Sequence, residues 1–277
     1  MLPSLASVIA RHGLITKKSL GQHFLLDERI TDEIVRYAGD LNNHNLIEIG
    51  PGPGGLTRSL LNAGTKKLYV VEKDGRCIEV MKELQQAFPE RLEILHEDAL
   101  TVNLLEAVPA PRKIVANLPY NVGTELLLGW LDQIYAVPGA FEGLTLMFQK
   151  EVAERIVATH GNKDYGRLSV LAQWLCHVRY DMELPPEAFT PPPKVASAVV
   201  TLIPRTKPLV DVPKDILEKV VAAAFGQRRK MLRGALKSLG VDVEKLFAEA
   251  DIDGSLRAEQ VDLSGLCKLA ISYQRIR

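Results

Sequence analysis

The stretch Glu48-Ile49-Gly50-Pro51-Gly52-Pro53-Gly54-Gly55-Leu56-Thr57 constrains the fold of this chain more than any other. It follows a short apolar run, Leu46-Ile47-Glu48-Ile49-Gly50, that reads as a buried strand ending in a glycine turn. It then opens a segment of helical character. Glycines at such a turn let the backbone approach a bound ligand closely. A strand, a glycine-rich turn and a helix form the opening unit of a sheet whose ligands bind at the carboxyl ends of its strands.

The same alternation continues downstream. Leu68 to Glu72, Leu92 to Leu95, Ile114 to Asn117 and Leu144 to Phe148 read as further strands. Segments of helical length, such as Asp74 to Phe88 and Val122 to Tyr135, lie between them. Strands alternating with helices predict an α/β fold, a mostly parallel sheet covered on both faces. Trp174 to Glu183 and Ala198 to Pro204 read as two more strands with no clear helix between them, which predicts an antiparallel hairpin at the sheet edge. Their connection carries Phe189-Thr190-Pro191-Pro192-Pro193-Lys194-Val195, whose consecutive prolines make a stiff, extended loop. Past Pro204 the patterns are helical, with Ile216 to Phe225 and Met231 to Leu239 as helices and no strand. A boundary near Arg205 to Val212 divides the chain into a domain of residues 1–205 and a smaller α-helical one of residues 206–277.

Composition restricts the class. At 277 residues, 47% hydrophobic and 25% charged, the chain can bury a sizeable core. No run approaches the length needed to span a bilayer. Met1 to Ala10 lacks the basic start of a signal peptide. Cys77, Cys176 and Cys267 are too sparse for a disulfide framework and have no metal-ligand spacing, so a reducing cytoplasm is expected and a metal is not. With 34 basic and 34 acidic residues, any nucleic-acid surface has to come from local clustering. Two acid-free basic runs stand out: Arg11, Lys17 and Lys18 in the first 26 residues, and Arg228, Arg229, Lys230, Arg233 and Lys237 between Lys219 and Val241. No dimerisation helix is evident, and a monomer is expected.

Gly50, Gly52 and Gly55 match the G-x-G-x-x-G dinucleotide fingerprint, and Glu72 lies at the distance of a ribose-binding acid. S-adenosylmethionine (SAM) has the same ribose diol, so these residues suit either cofactor. Glu48 and Asp98 favour SAM. Glu48 puts a carboxylate at the first strand tip, to order the loop or face the cofactor's amino-acid end. Asp98 follows the third strand, where it can accept from the adenine amine. Three acids at three successive strand ends around a glycine turn point to a ligand site.

The fourth strand ends in Asn117-Leu118-Pro119-Tyr120-Asn121. An adenine amine is a poor nucleophile because its lone pair is delocalised into the ring. A site that methylates it should hold the amine by acceptors. The Asn117 side-chain carbonyl and the Leu118 backbone carbonyl can serve, Pro119 fixes the turn, and Tyr120 offers a ring face. A base has to leave its stack to reach such a pocket, and Phe189 on the rigid proline loop is the candidate second face.

Together these stretches closely resemble the KsgA-type small-subunit rRNA adenine dimethyltransferases. The resemblance also rests on Ser19-Leu20-Gly21-Gln22-His23-Phe24-Leu25, Val71-Glu72-Lys73-Asp74, Glu97-Asp98-Ala99 and Phe225-Gly226-Gln227-Arg228-Arg229-Lys230. It implies a Rossmann-like SAM-binding domain, a small helical C-terminal rRNA-binding domain, and cofactor contacts at His23, Leu25, Gly50, Glu72, Asp98 and Asn117, with Glu48, Gly52, Lys73 and Ala99 beside them. Family members often have Asn where this chain has His23, and a backbone contact there survives the change. The implied substrate is a pair of adjacent adenines in the 3′-terminal hairpin of small-subunit rRNA, within an immature small ribosomal subunit whose assembly the protein assists. The basic runs would then hold phosphates. Rival readings are a large-subunit rRNA adenine methyltransferase of the macrolide-resistance type, a NAD-dependent oxidoreductase, and a non-catalytic assembly factor.

Overall fold

In a computed structural model of the chain, residues 2–14 and 23–277 are described. Their strands, in chain order, are β1 (Phe24–Leu25), β2 (Asn45–Ile49), β3 (Lys67–Glu72), β4 (Leu92–His96), β5 (Arg112–Asn117), β6 (Gly143–Gln149), β7 (Cys176–Leu184), β8 (Phe189–Thr190) and β9 (Ser197–Pro204). Seven form one sheet in the order β4-β3-β2-β5-β6-β9-β7, and β1 pairs separately with β8. The neighbours from β4 through β6 run parallel, and β9 runs antiparallel to β6. This is an α/β fold, a mostly parallel seven-stranded sheet with an antiparallel edge, with helices at its C-terminal end.

The central strands form because their side chains are apolar on both faces, as a helix-covered parallel sheet requires. Leu46, Ile47, Leu68, Val70, Ile114, Val115, Leu144 and Leu146 are wholly buried. The helices Gly55–Asn62, Gly75–Ala87 and Gly123–Ala136 carry the chain across the sheet between strands. Asp74, just after β3, caps the second of these by accepting from the Arg76 N–H at 3.1 Å.

Five strands thus stand where the apolar runs predict them. The edge differs in one detail: Trp174 and Leu175 end the helix Arg167–Leu175, and β7 begins only at Cys176. An apolar helix end runs into the strand with no glycine or proline to mark the change. β7 and β9 do form the antiparallel hairpin. The Arg205 N–H donates to the Leu175 carbonyl at 2.8 Å, and the Thr201 hydroxyl reaches the Asp181 carboxylate, a register that runs in opposite directions along the two strands.

The chain folds as two compact units. One comprises the residues up to Ala153 with Arg179–Pro204, and the other Glu154–Val178 with Arg205–Arg277. The second is helical, built around Arg167–Leu175, Lys214–Gly226, Val243–Ala250 and Leu263–Ile276. Within it the Tyr165 and Phe225 rings meet edge to face, their centroids 5.8 Å apart. The Trp174 indole N–H donates to the Val210 carbonyl at 2.8 Å. Among the described residues, no helix is long and apolar enough to cross a membrane.

Candidate active site

The sheet order sets the location. From β2 the chain moves outward through β3 and β4, then returns to the other side of β2 as β5. The crossovers leave in opposite directions at β2 and β5, and the crevice beyond their carboxyl ends is the usual ligand position in such sheets. A cleft of about 990 Å³, mouth included, lies there. It is lined by His23, Leu25, Glu48, Gly50, Gly52, Glu72, Lys73, Asp98, Ala99, Asn117, Leu118, Pro119 and Tyr120, all named from the sequence.

The loop after β2 needs its glycines. Gly50 and Gly52 have φ of 66° and 55°, in the left-handed region that side chains resist. Gly55 is required for space, because a Cβ there would stand 2.3 Å from the Leu25 carbonyl oxygen. The short strand β1 therefore presses directly on the start of the helix that the loop opens.

The three strand-end acids have different environments. Glu48 is 2% exposed, and its Oε2 has no hydrogen-bond partner. Burial pushes its pKa up to about 8; the Thr57 hydroxyl opposes this and the nearby Glu72 carboxylate adds to it. The Glu72 Oε1 accepts from the Lys73 and Asp74 N–H groups, each at 2.8 Å. Burial raises its pKa, and those bonds, with another from the Gly52 N–H, oppose the rise. Asp98 is held below the usual carboxylate range, first by the Leu100 N–H, 3.0 Å from Oδ1, and also by the Lys73 ammonium, 3.1 Å from Oδ2. One half-exposed ionised acid, one acid cradled by backbone donors and one buried carboxyl with an unpartnered oxygen thus share a cleft.

Asn117 ends β5. Its Nδ2 donates to the His23 backbone carbonyl at 3.0 Å, which leaves Oδ1 as the acceptor end of the amide. The His23 ring stacks on Tyr120, with centroids 5.2 Å apart and planes inclined by 27°, while its Nδ1 pairs with the Pro191 carbonyl at 2.8 Å. The Tyr120 hydroxyl hydrogen-bonds Ser197 on β9. Burial raises the pKa of the phenol, so it stays neutral.

Phe189 does not line the cleft. It is 2% exposed in the apolar core, and its backbone pairs with Leu25 to join β8 to β1. The rigid loop instead contributes the Pro191 carbonyl that holds His23. Lys17 and Lys18 lie outside the described residues. Arg11 pairs with Glu83 at 3.3 Å, and Arg233 with Glu244 at 2.8 Å. Arg228 donates to the Tyr165 carbonyl at 3.0 Å and to that of Lys163. Arg229 and Lys230 are exposed and have no ion pair among the described residues. No group of three or more His, Cys, Asp or Glu able to hold a metal ion occurs among those residues.

Thr57, Phe24 and Ser197 escaped the sequence reading. Thr57 supports Glu48. The Phe24 ring packs on the loop so tightly that a Cβ on Gly52 would be 3.0 Å from it. Ser197 anchors Tyr120 from 77 residues away. Phe24 stood within a recognised stretch and so had a local signal. Ser197 had none, because only strand pairing brings it near.

A model of the family described as ribosomal RNA adenine dimethylase matches residues 14–275. The chain belongs to that family. It is 55% identical over 269 residues to the ribosomal RNA small subunit methyltransferase A of Jannaschia sp., covering 97% of this chain and 93% of that one. It is 54% identical over 274 residues to the same-named protein of Ruegeria pomeroyi, covering 99% and 98%. Among solved structures, a dimethyladenosine transferase from Plasmodium falciparum superposes with a TM-score of 0.79 at 25% identity, covering 91% of this chain and 98% of that one. The 23S rRNA methyltransferase ErmE shares the fold with a TM-score of 0.67 at 23% identity, covering 91% and 99%. Membership excludes the oxidoreductase that the bare glycine pattern left open.

Proposed function

We propose that this dimethylase-family chain transfers methyl groups from SAM to the exocyclic amines of two adjacent adenines in the 3′-terminal hairpin of small-subunit rRNA. On this reading it acts on an immature small ribosomal subunit in the cytoplasm. The observation that carries the proposal is the pairing of Asn117 with the glycine-loop cleft. A fixed amide acceptor lines a cleft whose three acids suit a nucleoside linked to a cationic amino acid.

The cleft's chemistry fits SAM. Glu72 can accept from the ribose diol, and Asp98 from the adenine amine. Glu48, buried with an unpartnered oxygen, suits a positively charged amino-acid end. The backbone at Gly50 and Gly52 lets a ligand lie against the loop. SAM supplies an electrophilic methyl on a sulfonium that leaves as a neutral thioether.

The remaining work falls to the protein. The Asn117 Oδ1 and Leu118 carbonyl accept from the target amine and turn its lone pair out of the ring plane. Tyr120, held by Ser197 and backed by His23, supports the base. Positioning of this kind can supply most of the rate enhancement. The amine's proton leaves to water once nitrogen has acquired the methyl. Residues 206–277, with Arg229 and Lys230 as uncompensated cations, would grip rRNA phosphates.

The proposal is tested in a strain lacking the gene, by mass spectrometry of its small-subunit rRNA. Loss of dimethyladenosine from the 3′-terminal hairpin, restored by the wild-type chain and not by Asn117→Ala, is expected. Persistence of the modification without the gene would refute the assignment.

A further inference from the structure

The connection from β8 to β9, Pro191 to Ser197, is fastened at both ends to the aromatic wall of the cleft. At its start the His23 ring donates from Nδ1 to the Pro191 carbonyl at 2.8 Å. At its end the Ser197 hydroxyl hydrogen-bonds that of Tyr120. His23 and Tyr120 both line the cleft and stack on one another, with centroids 5.2 Å apart. Six peptide steps can extend over roughly 20 Å, so a segment held by two neighbouring rings has to bow.

We propose that Lys194, at the crown of this bow, holds a backbone phosphate beside the adenosine whose base enters the cleft. This rests on the functional reading above. It adds a phosphate contact within the unit that carries the cleft, separate in sequence from the basic run at Arg228 to Lys237.

Three observations converge on Lys194. It stands midway along the bow, three residues from each anchor. The bow is stiff: consecutive prolines fix its φ angles, Pro193 is buried, and the Lys150 N–H donates to the Ala196 carbonyl at 2.9 Å. Lys194 and its neighbour Val195, 46% exposed, nonetheless face solvent. Finally, Lys194 makes no hydrogen bond or ion pair among the described residues. Two other lysines of this region are committed, Lys73 to Asp98 and Lys150 to Glu183. A free cation on a rigid support is thus tied through three residues on either side to the wall that supports the base.

The chemistry of the substrate names the partner. A target base has to leave its stack to reach Asn117. Its sugar–phosphate chain cannot follow it inward, so the phosphates of the target nucleotide stay at the rim. Contacts to phosphates carry no sequence information but set register and orientation. An ammonium is a compact point charge with three rotatable donors. It suits a phosphate presented at two slightly different angles, as two adjacent adenosines treated in turn would present it.

The test measures methyl transfer from SAM to undermethylated small subunits. Lys194→Gln should raise KM for the subunit about tenfold, with kcat, SAM affinity and melting temperature unchanged. It should also lower the slope of log(kcat/KM) against log salt by about 0.7, the counterion release of one single-strand phosphate. Lys194→Arg keeps the charge and should restore most of both. Lys66→Ala removes an exposed lysine just before β3, at the end of the sheet opposite the cleft, and should change neither. Replacing the phosphates that flank the target adenosines, one at a time, by uncharged methylphosphonates should cost the wild type a similar factor at one position. There Lys194→Gln should cost nothing further. An unchanged KM and slope in Lys194→Gln, an equal loss in Lys66→Ala, or losses that multiply at every phosphate would overturn the assignment. No transfer by the wild type to unaltered subunits would instead overturn the functional reading itself.

Discussion

The Asn117 side chain donates its Nδ2 hydrogen to the backbone carbonyl of His23, 94 residues earlier, at 3.0 Å. The bond does two things. It ties the end of β5 to the segment that enters β1, and it leaves Oδ1 as the only acceptor the side chain can offer a substrate amine. Asn117→Asp keeps an oxygen in place of Oδ1 but sets a second oxygen against the His23 carbonyl. We predict that Asn117→Asp and Asn117→Ala each lower kcat for methyl transfer about 10²- to 10³-fold, the usual cost of removing one fixed polar group at a reaction centre. SAM affinity, measured by calorimetry, should change less than tenfold. A loss confined to SAM binding would assign Asn117 to the cofactor alone.

Glu48 makes stability and ligand binding depend on pH in a defined direction. Its folded-state pKa of about 8 lies above its ordinary value of 4.5 because it is buried. The folded chain therefore holds a proton that the unfolded chain gives up. The stability this confers is complete below about pH 4.5 and is lost as pH rises through 8. Glu48→Gln mimics the protonated form and removes the dependence. By pH 9 the variant should be more stable than wild type by on the order of 3 kcal/mol, with little difference at pH 5, read from urea unfolding. A cationic ligand draws the proton off, so wild-type affinity for SAM should rise from pH 6 to pH 8, by up to about tenfold per unit. In Glu48→Gln it should be weaker and flat. A flat wild-type profile would mean that Glu48 does not meet the ligand's charge.

Gly55→Ala tests the close approach of β1. The added Cβ would meet the Leu25 carbonyl at 2.3 Å, and a backbone carbonyl cannot swing aside as a flexible side chain can. Unfolding free energy should fall by at least about 2 kcal/mol, with SAM affinity falling too. Gly129 lies in the helix Gly123–Ala136 with nothing near its missing Cβ. Gly129→Ala should therefore stabilise the chain by roughly 0.5–1 kcal/mol.

What the sequence reveals and what it hides divide along physical lines. β2 to β6 were legible because buried parallel strands are continuous apolar runs, and the cleft because its acids and glycines sit at the ends of those runs. β1 and β8 are two residues each, too short to show a period. Phe189 illustrates the other difficulty. A phenylalanine before a proline loop is compatible with a stacking face or with a core position, and only the pairing of its backbone with Leu25 decides for the core. Ser197 and Gln149 meet across β9 and β6, a register that no local pattern specifies.

The basic run that follows the helix Lys214–Gly226 separates into structural and available charges. Arg228 is committed to the Lys163 and Tyr165 carbonyls, so Arg228→Ala should lower stability by about 1 kcal/mol. Arg229 and Lys230 are exposed and carry no such commitment. Replacing both by alanine should leave the melting temperature unchanged and weaken rRNA binding. It should also reduce the slope of log K against log salt by about 1.5, the counterion release expected for two lost phosphate contacts. An unchanged slope would remove these residues from the rRNA surface.

The central claim is that the Asn117 cleft methylates adenine amines of small-subunit rRNA. Its most direct test is transfer of labelled methyl from SAM to purified small subunits lacking adenine dimethylation, with the labelled nucleotides identified and mapped. The account predicts N6,N6-dimethyladenosine at two adjacent positions of the 3′-terminal hairpin, with Asn117→Ala reducing the label about 100-fold or more. Label on large-subunit rRNA, or SAM binding without transfer to the small subunit, would contradict it.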